Sequence, residues 1–234
     1  FLVGGVGDVV STIRFSFIEE GTTDTYTMRV FARLGDSDAP HQVLLVFLEP
    51  ELISGTMFLF HIDPVAEETR MWIYLPAMGV VREFVGEDVE QQEFIPGTGL
   101  RGGDITGGFA YRDGYIPELV GEEELGGIPA YVLRLLRKEG SKAEWPRIML
   151  WVHREKFSVL KVEMYDEEGK LARLVEASGL KEDELGYMAH RWEIKDLVEG
   201  RNVVIEILER KKAEIPDEYF DPESLPQLEI PWGS

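Results

Sequence analysis

The stretch "MWIYLPAMGVVREF", residues 71–84, reads as two short strands folded back on a Pro-Ala-Met-Gly turn. Pro76 ends the first strand because it has no N–H to give a ladder, and Gly79 relaxes the turn. Successive strand side chains point to opposite faces, so Met71, Ile73 and Leu75 share one face while Trp72 and Tyr74 share the other. Both faces are apolar. Such a strand needs cover on both sides, yet no helix-period segment lies nearby to provide it. The pattern predicts Met71, Ile73 and Leu75 inward, because Arg70 lies on the opposite face and prefers solvent. Trp72 and Tyr74, with polar tips, suit a shell or rim.

Outward from this hairpin, period-two alternation dominates. In "STIRFSF", Ile13, Phe15 and Phe17 share a face, and "YTMRVFARL" repeats the pattern with Tyr26, Met28, Val30 and Ala32. "QVLLVFLEP" (42–50) is apolar on both faces, and "GTMFLFHID" (55–63) nearly so. Further strand patterns follow at 130–136, 147–153, 158–165, 170–177, 187–197 and 201–215, with "DEEG" (166–169) as a tight hairpin connection. Roughly ten strands punctuated by turn signals predict an antiparallel sandwich or barrel. "GYIPELVG" (114–121) and "DPESLPQL" (221–228) could each hold a helical turn or two, and "GEEELGG" (121–127) reads as a solvated acidic turn. No repeat or linker cuts the chain, so one domain over 1–234 is expected. The glycine-rich segment 86–118 breaks the alternation; its part 95–113 is expected to be mobile without ligand, at a cavity rim.

The 234 residues include 44 Asp+Glu against 24 Lys+Arg, a formal net charge of -20. That surface repels phosphate backbones and anionic head groups, so nucleic acid is excluded as a partner and membrane contact is expected to be transient. With 44% hydrophobic residues the chain can bury a sizeable core. There are 0 Cys, which removes disulfides, thiolate metal sites and cysteine nucleophiles. No apolar run approaches the roughly 20 residues of a membrane span. The opening "FLVGGVGDVV" lacks a basic n-region, so no signal peptide is read in this chain.

Chemistry is weakly signalled. "GTGLRG" (97–102) matches G-x-G-x-x-G, but Pro96 precedes it and no helix can start after it, so dinucleotide binding lacks its βαβ context. His41, His61, His153 and His190 show no close ligand spacing; no metal is expected. No G-x-S-x-G elbow is present. Asp104 and Asp113 flank the glycine-rich loop and could form a carboxylate dyad, the basis of a hydrolase alternative. No cofactor is expected. The surplus of large residues on both faces of 43–48, 57–62 and 71–75 leaves two readings: a ligand cavity, or a thick core with undetected helices.

A resemblance bears on that choice. "FLEPELISGTMFLF" followed by "MWIYLPAMGVVREF" resembles the outer-membrane lipoprotein-sorting protein family, the LolA-like bacterial envelope carriers. "LRGGDITGGFAYRDGY" resembles the family's Gly-Ser-Asp and Tyr-x-Asp loop, with Asp104, Tyr111 and Asp113 as counterparts. "EELGGIPAYVLRL", "KVEMYDEEGKLAR" and "IPDEYFDPESL" resemble its later motifs, in order, so the matches span about 42–225. Two departures stand: the helix ahead of the family's first strand has no counterpart beyond "GGVGDVV", and Gly-Gly-Asp replaces Gly-Ser-Asp.

The resemblance implies a mainly β fold: a single antiparallel, strongly curved sheet forming an unclosed β-barrel, with a few short helices or a lid over a hydrophobic cavity. It implies a non-enzymatic carrier of lipid or lipoprotein acyl chains across the periplasm toward the outer membrane, with an inner-membrane export complex and an outer-membrane acceptor as partners. The expected cavity residues are Phe15, Phe17, Met28, Val30, Phe47, Phe58, Phe60, Met71, Ile73, Leu75, Leu160, Val162 and Met164. The expected rim and loop residues are Trp72, Tyr74, Arg82, Asp104, Tyr111 and Asp113. An envelope sensor of the same fold is the alternative binding role.

Overall fold

The computed structural model describes residues 7–19, 21–35, 39–63, 65–66, 68–93, 114–141 and 143–230. These form β1 (Gly7–Glu19), β2 (Thr22–Leu34), β3 (His41–Glu49), β4 (Met57–Asp63), β5 (Glu68–Leu75), β6 (Val80–Val85) and a short α1 (Glu87–Gln91). After them come β7 (Tyr115–Leu125), β8 (Ile128–Arg137), β9 (Arg147–His153), β10 (Val159–Tyr165), β11 (Leu171–Asp183), β12 (Gly186–Asp196) and β13 (Arg201–Lys212). The 13 strands make one antiparallel sheet in the order β6-β5-β4-β3-β2-β1-β13-β12-β11-β10-β9-β8-β7. β6 and β7 are its two ends, so it is unclosed. Every pair of strands consecutive in the chain is adjacent in the sheet except β6 and β7, and the one pairing of strands distant in sequence is β1 with β13, which is why tight turns suffice nearly everywhere.

β7 corrects the expectation for its segment, which is neither a helical turn nor an acidic turn but an 11-residue strand. A bulge between Leu119 and Gly121 shifts its register against β8, and that slip flips the inside-outside phase and hides the alternation. Pro117 fits because β7 is an edge strand with no second ladder to feed. At the opening hairpin, β5 ends at Leu75, β6 begins at Val80, and Gly79 adopts φ 61.

The chain divides into two compact units, Phe1–Ile13, Tyr26–Gly108 and Leu208–Ser234 on one hand, and Arg14–Thr25 and Phe109–Ile207 on the other. In the first unit, register sorts the side chains of β2–β5 onto two faces, since residues paired across a ladder lie on the same side. One face carries Val30–Leu45–Phe58–Ile73 and Ala32–Val43–Phe60–Met71. The other carries Phe31–Leu44–Leu59–Trp72. That second face packs against the C-terminal segment through Ile215, Phe220, Leu225 and Ile230. Two 3-10 turns, Asp217–Phe220 and Leu225–Gln227, bend the segment so that Phe220 and Leu225 point inward. Here lies the cover for Trp72 that the sequence demands. Each fully buried Phe or Leu contributes about 1.5–3 kcal/mol.

In the second unit, one face of β7–β13 carries an aliphatic rung, and the other combines ion pairs with a small apolar cluster of Ala130, Val132, Trp151 and Leu160. Lys161 pairs with Glu163 at 2.6 Å, Lys195 with Glu176 at 2.9 Å, and Arg134 with Glu118 at 2.6 Å. Trp151 also meets the charged groups: Lys161 Nζ lies 4.5 Å from its ring centre, and its Nε1 donates to Glu123 at 2.8 Å. The more exposed pairs, Lys195–Glu176 and Arg134–Glu118, contribute at most about 1 kcal/mol each, whereas Lys161 and Glu163 are largely buried.

Candidate functional site

The apolar face of the second unit is a continuous rung. Leu119 pairs with Leu133, Leu133 with Leu150, Leu150 with Val162, Val162 with Val175, Val175 with Ile194, and Ile194 with Val203. Its burial is graded. Val162 is 1% exposed, Leu150 and Leu133 are half-buried, and Leu119 at the edge is 59% exposed. A parallel rung, Leu135–Ile148–Met164, runs into Arg173 and Asp196, whose side chains meet at 3.4 Å. The stripe is thus aliphatic, open at its β7 edge and bordered by an ion pair. An aliphatic surface of this kind can take apolar groups out of water, at about 0.8 kcal/mol per buried CH₂.

The expected cavity residues are sorted by the register. Met28, Val30, Phe47, Phe58, Phe60, Met71 and Ile73 are buried and come together on one face of β2–β5, with Phe47 and Phe58 rings 5.9 Å apart. Leu75 is half-buried at the strand end. Val89 of α1, fully buried, packs beside β5 and β6. Phe15 and Phe17 are buried on β1, within the second unit's share of that strand. Val162 and Met164 lie in the two rungs of the second unit, whereas Leu160 packs with Ala130, Val132 and Trp151 because a bulge between Val159 and Lys161 turns it toward them.

Among the expected rim residues, Trp72 and half-buried Tyr74 pack under the C-terminal segment. Arg82 is exposed and stands opposite Ile73 on the Met71 face. Asp104, Tyr111, Asp113 and "GTGLRG" lie outside the described residues. The sequence reading missed Leu119, Leu133, Leu150, Val175 and Ile194. Leu133 and Leu135 alternate visibly within "AYVLRLL", so that part of the stripe had a signal; Leu119 sits in the segment misread as turns.

The first unit also holds a polar cleft of about 300 Å³, lined by Arg33, His41, Gln42, His61, Asp63 and Arg70 among others. Its groups are largely turned to holding the C-terminal segment. Arg33 donates to Asp8 at 2.9 and 3.0 Å, to Asp217 at 2.6 Å and to the Ile215 carbonyl, and its guanidinium lies over the Phe220 ring. His61 Nε2 lies 2.9 Å from the Phe220 carbonyl oxygen, which can only accept, so that nitrogen carries the proton. The Arg33 hydrogen bond holds the Asp8 carboxyl below its ordinary value, and Asp8 and Asp217 together raise Arg33. Burial pushes the His61 imidazole down, with Arg70 adding to that, against a pull upward from the Phe220 carbonyl and Asp221. Burial also lowers His41. Among the described residues no group of three His, Asp or Glu side chains could hold a metal ion.

A family model described as "Uncharacterized protein" matches residues 40–227. The chain belongs to that family. No curated protein matches it at a significant level. Among solved structures, the chain is similar to a DUF1329 family protein from Desulfovibrio piger, with 24% identity and a TM-score of 0.83 over 94% of this chain and 92% of that one. It is similar to an outer membrane lipoprotein-sorting protein domain from Vibrio parahaemolyticus, with 20% identity and a TM-score of 0.80 over 94% and 92%. A LolA superfamily protein from Nitrosomonas europaea follows, with 19% identity and a TM-score of 0.66 over 92% and 90%. The fold is therefore LolA-like, as the ordered motifs implied.

Proposed function

We propose that this chain is a non-enzymatic carrier of lipid or lipoprotein acyl chains in the bacterial envelope, moving them across the periplasm toward the outer membrane. The observation that carries the reading is the graded rung Leu119–Leu133–Leu150–Val162–Val175, aliphatic throughout yet exposed at its β7 end. A plain structural core would close such a stripe, and a stripe left open offers an acyl chain a place to lie. The LolA-like fold agrees with this use. The two rungs supply no polar group until the ion pair of Arg173 and Asp196, which suits a chain without hydrogen-bonding groups. Met164 adds an adaptable thioether for chains of irregular shape. A single chain binds reversibly, as a carrier requires. Partners in this reading are a donor complex at the inner membrane and an acceptor at the outer membrane.

The test is native mass spectrometry of protein purified from an envelope-bearing bacterial host, followed by lipid extraction. The expected result is a bound species with the mass of a lipid or acylated peptide. Protein that is uniformly ligand-free, and that takes up no fatty acid when one is added, would remove the reading.

A further inference from the structure

Two turns of the second unit share one construction. Between β12 and β13, Asp196 Oδ1 accepts from the N–H groups of Val198 and Glu199 at 3.0 and 2.9 Å, and Gly200 N–H donates to the Asp196 carbonyl at 2.9 Å. Between β9 and β10, His153 Nδ1 accepts from the N–H groups of Glu155 and Lys156 at 3.2 and 3.3 Å, and Phe157 N–H donates to the His153 carbonyl at 2.9 Å. The closing residue of each turn is left-handed, with φ 71 at Gly200 and φ 53 at Phe157. Glycine adopts that conformation freely, whereas the Cβ of phenylalanine crowds the following carbonyl. Among the described residues, Phe157 alone combines a side chain with a positive φ. Burial does not compensate it, for the residue is 72% exposed. The turn thus holds a residue that strains the backbone and places a phenyl ring in water. Neither effect helps folding.

The surroundings select what the ring meets. Arg154 and Lys156 flank it, held by Glu122 at 3.2 Å and Glu182 at 3.0 Å, with side chains 43% and 40% exposed. Such exposed pairs are weak and exchange readily. One projecting ring offers roughly 200 Å², far below the roughly 800 Å² per partner of a specific protein interface. That area does suit an aromatic side chain entering a lipid head-group layer with cations beside it to meet phosphates. We propose that the β9–β10 turn is a phospholipid-contacting tip: Phe157 enters the head-group layer, and Arg154 and Lys156 exchange their carboxylate partners for lipid phosphates. The chain's -20 charge and exposed Glu155 keep the contact brief on anionic membranes. The proposal rests on the carrier reading, to which it adds the surface that meets the bilayer.

The test is flotation of the full chain with vesicles of phosphatidylethanolamine and phosphatidylglycerol. Phe157→Gly is expected to weaken association about tenfold, the factor that burying one aromatic side chain supplies. It is also expected to raise the melting temperature by roughly 2–4 °C, because the left-handed strain is relieved. Phe157→Leu should retain most of the association, and Arg154→Gln with Lys156→Gln should lose its salt-sensitive part. Wild-type protein that floats no better than Phe157→Gly, or a glycine variant that melts lower, overturns the proposal. A fluorescent fatty acid, tested on the same proteins without vesicles, separates the two readings. Lost flotation with unchanged probe binding supports the tip; a probe that binds no variant, with flotation still dependent on Phe157, supports the tip and removes the carrier.

Discussion

In the first unit, the rung Val43–Phe60–Met71 is buried to 2%, 0% and 1% exposure, while in the second the rung Leu119–Leu133–Leu150 runs from open to half-buried. Both are antiparallel ladders of large apolar residues. They differ in what lies on the reverse face. Behind Val43–Phe60–Met71 stands a second apolar rung with its own cover, the C-terminal segment. Behind Leu133–Leu150 stand the ion pair of Lys161 and Glu163 and a small apolar cluster of Ala130, Val132, Trp151 and Leu160. A sheet covered on both sides is fixed by packing from two directions, so its side chains are part of the structure. A rung left open at its sheet edge can change its apolar contents there at little cost to the fold. The difference fits a packing role for the first unit's rung and, on the proposed carrier reading, ligand contact for the second unit's.

Substitution tests that division, and the largest effect belongs to the doubly covered sheet. Phe60→Ala should cost about 3–5 kcal/mol in a denaturant titration, as expected for a buried Phe in a site that cannot collapse. Leu150→Ala should cost clearly less, since Leu150 is only partly buried. Equal losses would erase the contrast.

Next comes the clasp on the C-terminal segment. Arg33→Met should lower stability by about 1–3 kcal/mol, because Asp8 keeps its partly buried carboxylate and loses its main partner. The loss should depend on pH. Asp8 is held below its ordinary value, so its contribution is complete above that value and disappears as pH falls through the lowered one. The cost of Arg33→Met should therefore shrink in strong acid.

His61 gives a smaller effect in a separate window. Burial lowers its imidazole, so the native state favours the neutral form and stability falls as pH drops below about 6.5. His61→Gln should remove part of that limb of the melting profile, leaving the share of His41, whose imidazole burial also lowers, and the limb due to Asp8. A profile unchanged by His61→Gln would show that His61 does not hold the segment through its imidazole. Smallest of all, Leu119→Ser should shift stability by no more than about 0.5 kcal/mol, as for an exposed surface site.

The strands themselves were largely legible in the sequence, but this division was not, since the sequence reading offered 43–48, 57–62 and 71–75 as cavity strands; the limits of that reading have physical causes. The doubly apolar strands 43–48, 57–62 and 71–75 announced cover on both faces, and the phase of Trp72 against Met71 sorted them correctly between two faces. The nature of the cover was hidden, because "IPDEYFDPESLPQLEI" has neither helical nor strand period. Its inward residues, Phe220 and Leu225, are placed by short 3-10 turns. β7 was hidden by its bulge, and with it went Leu119 and the open end of the rung. The role of His153 as a turn-building acceptor left no local signal, since nothing in "HREKF" marks a left-handed closing residue where glycine is the usual choice.

The central claim is that the aliphatic rung of the second unit takes acyl chains. Displacement of a fluorescent fatty acid, measured for Leu133→Ser with Leu150→Ser and for Phe58→Leu with Phe60→Leu, tests it most directly. The account predicts that the serine pair weakens probe binding by at least tenfold with a modest loss of stability. The leucine pair should lower the melting temperature and leave probe binding within about twofold of the parent. Probe binding that survives the serine pair and fails with the leucine pair would contradict the claim and move the ligand site to the first unit.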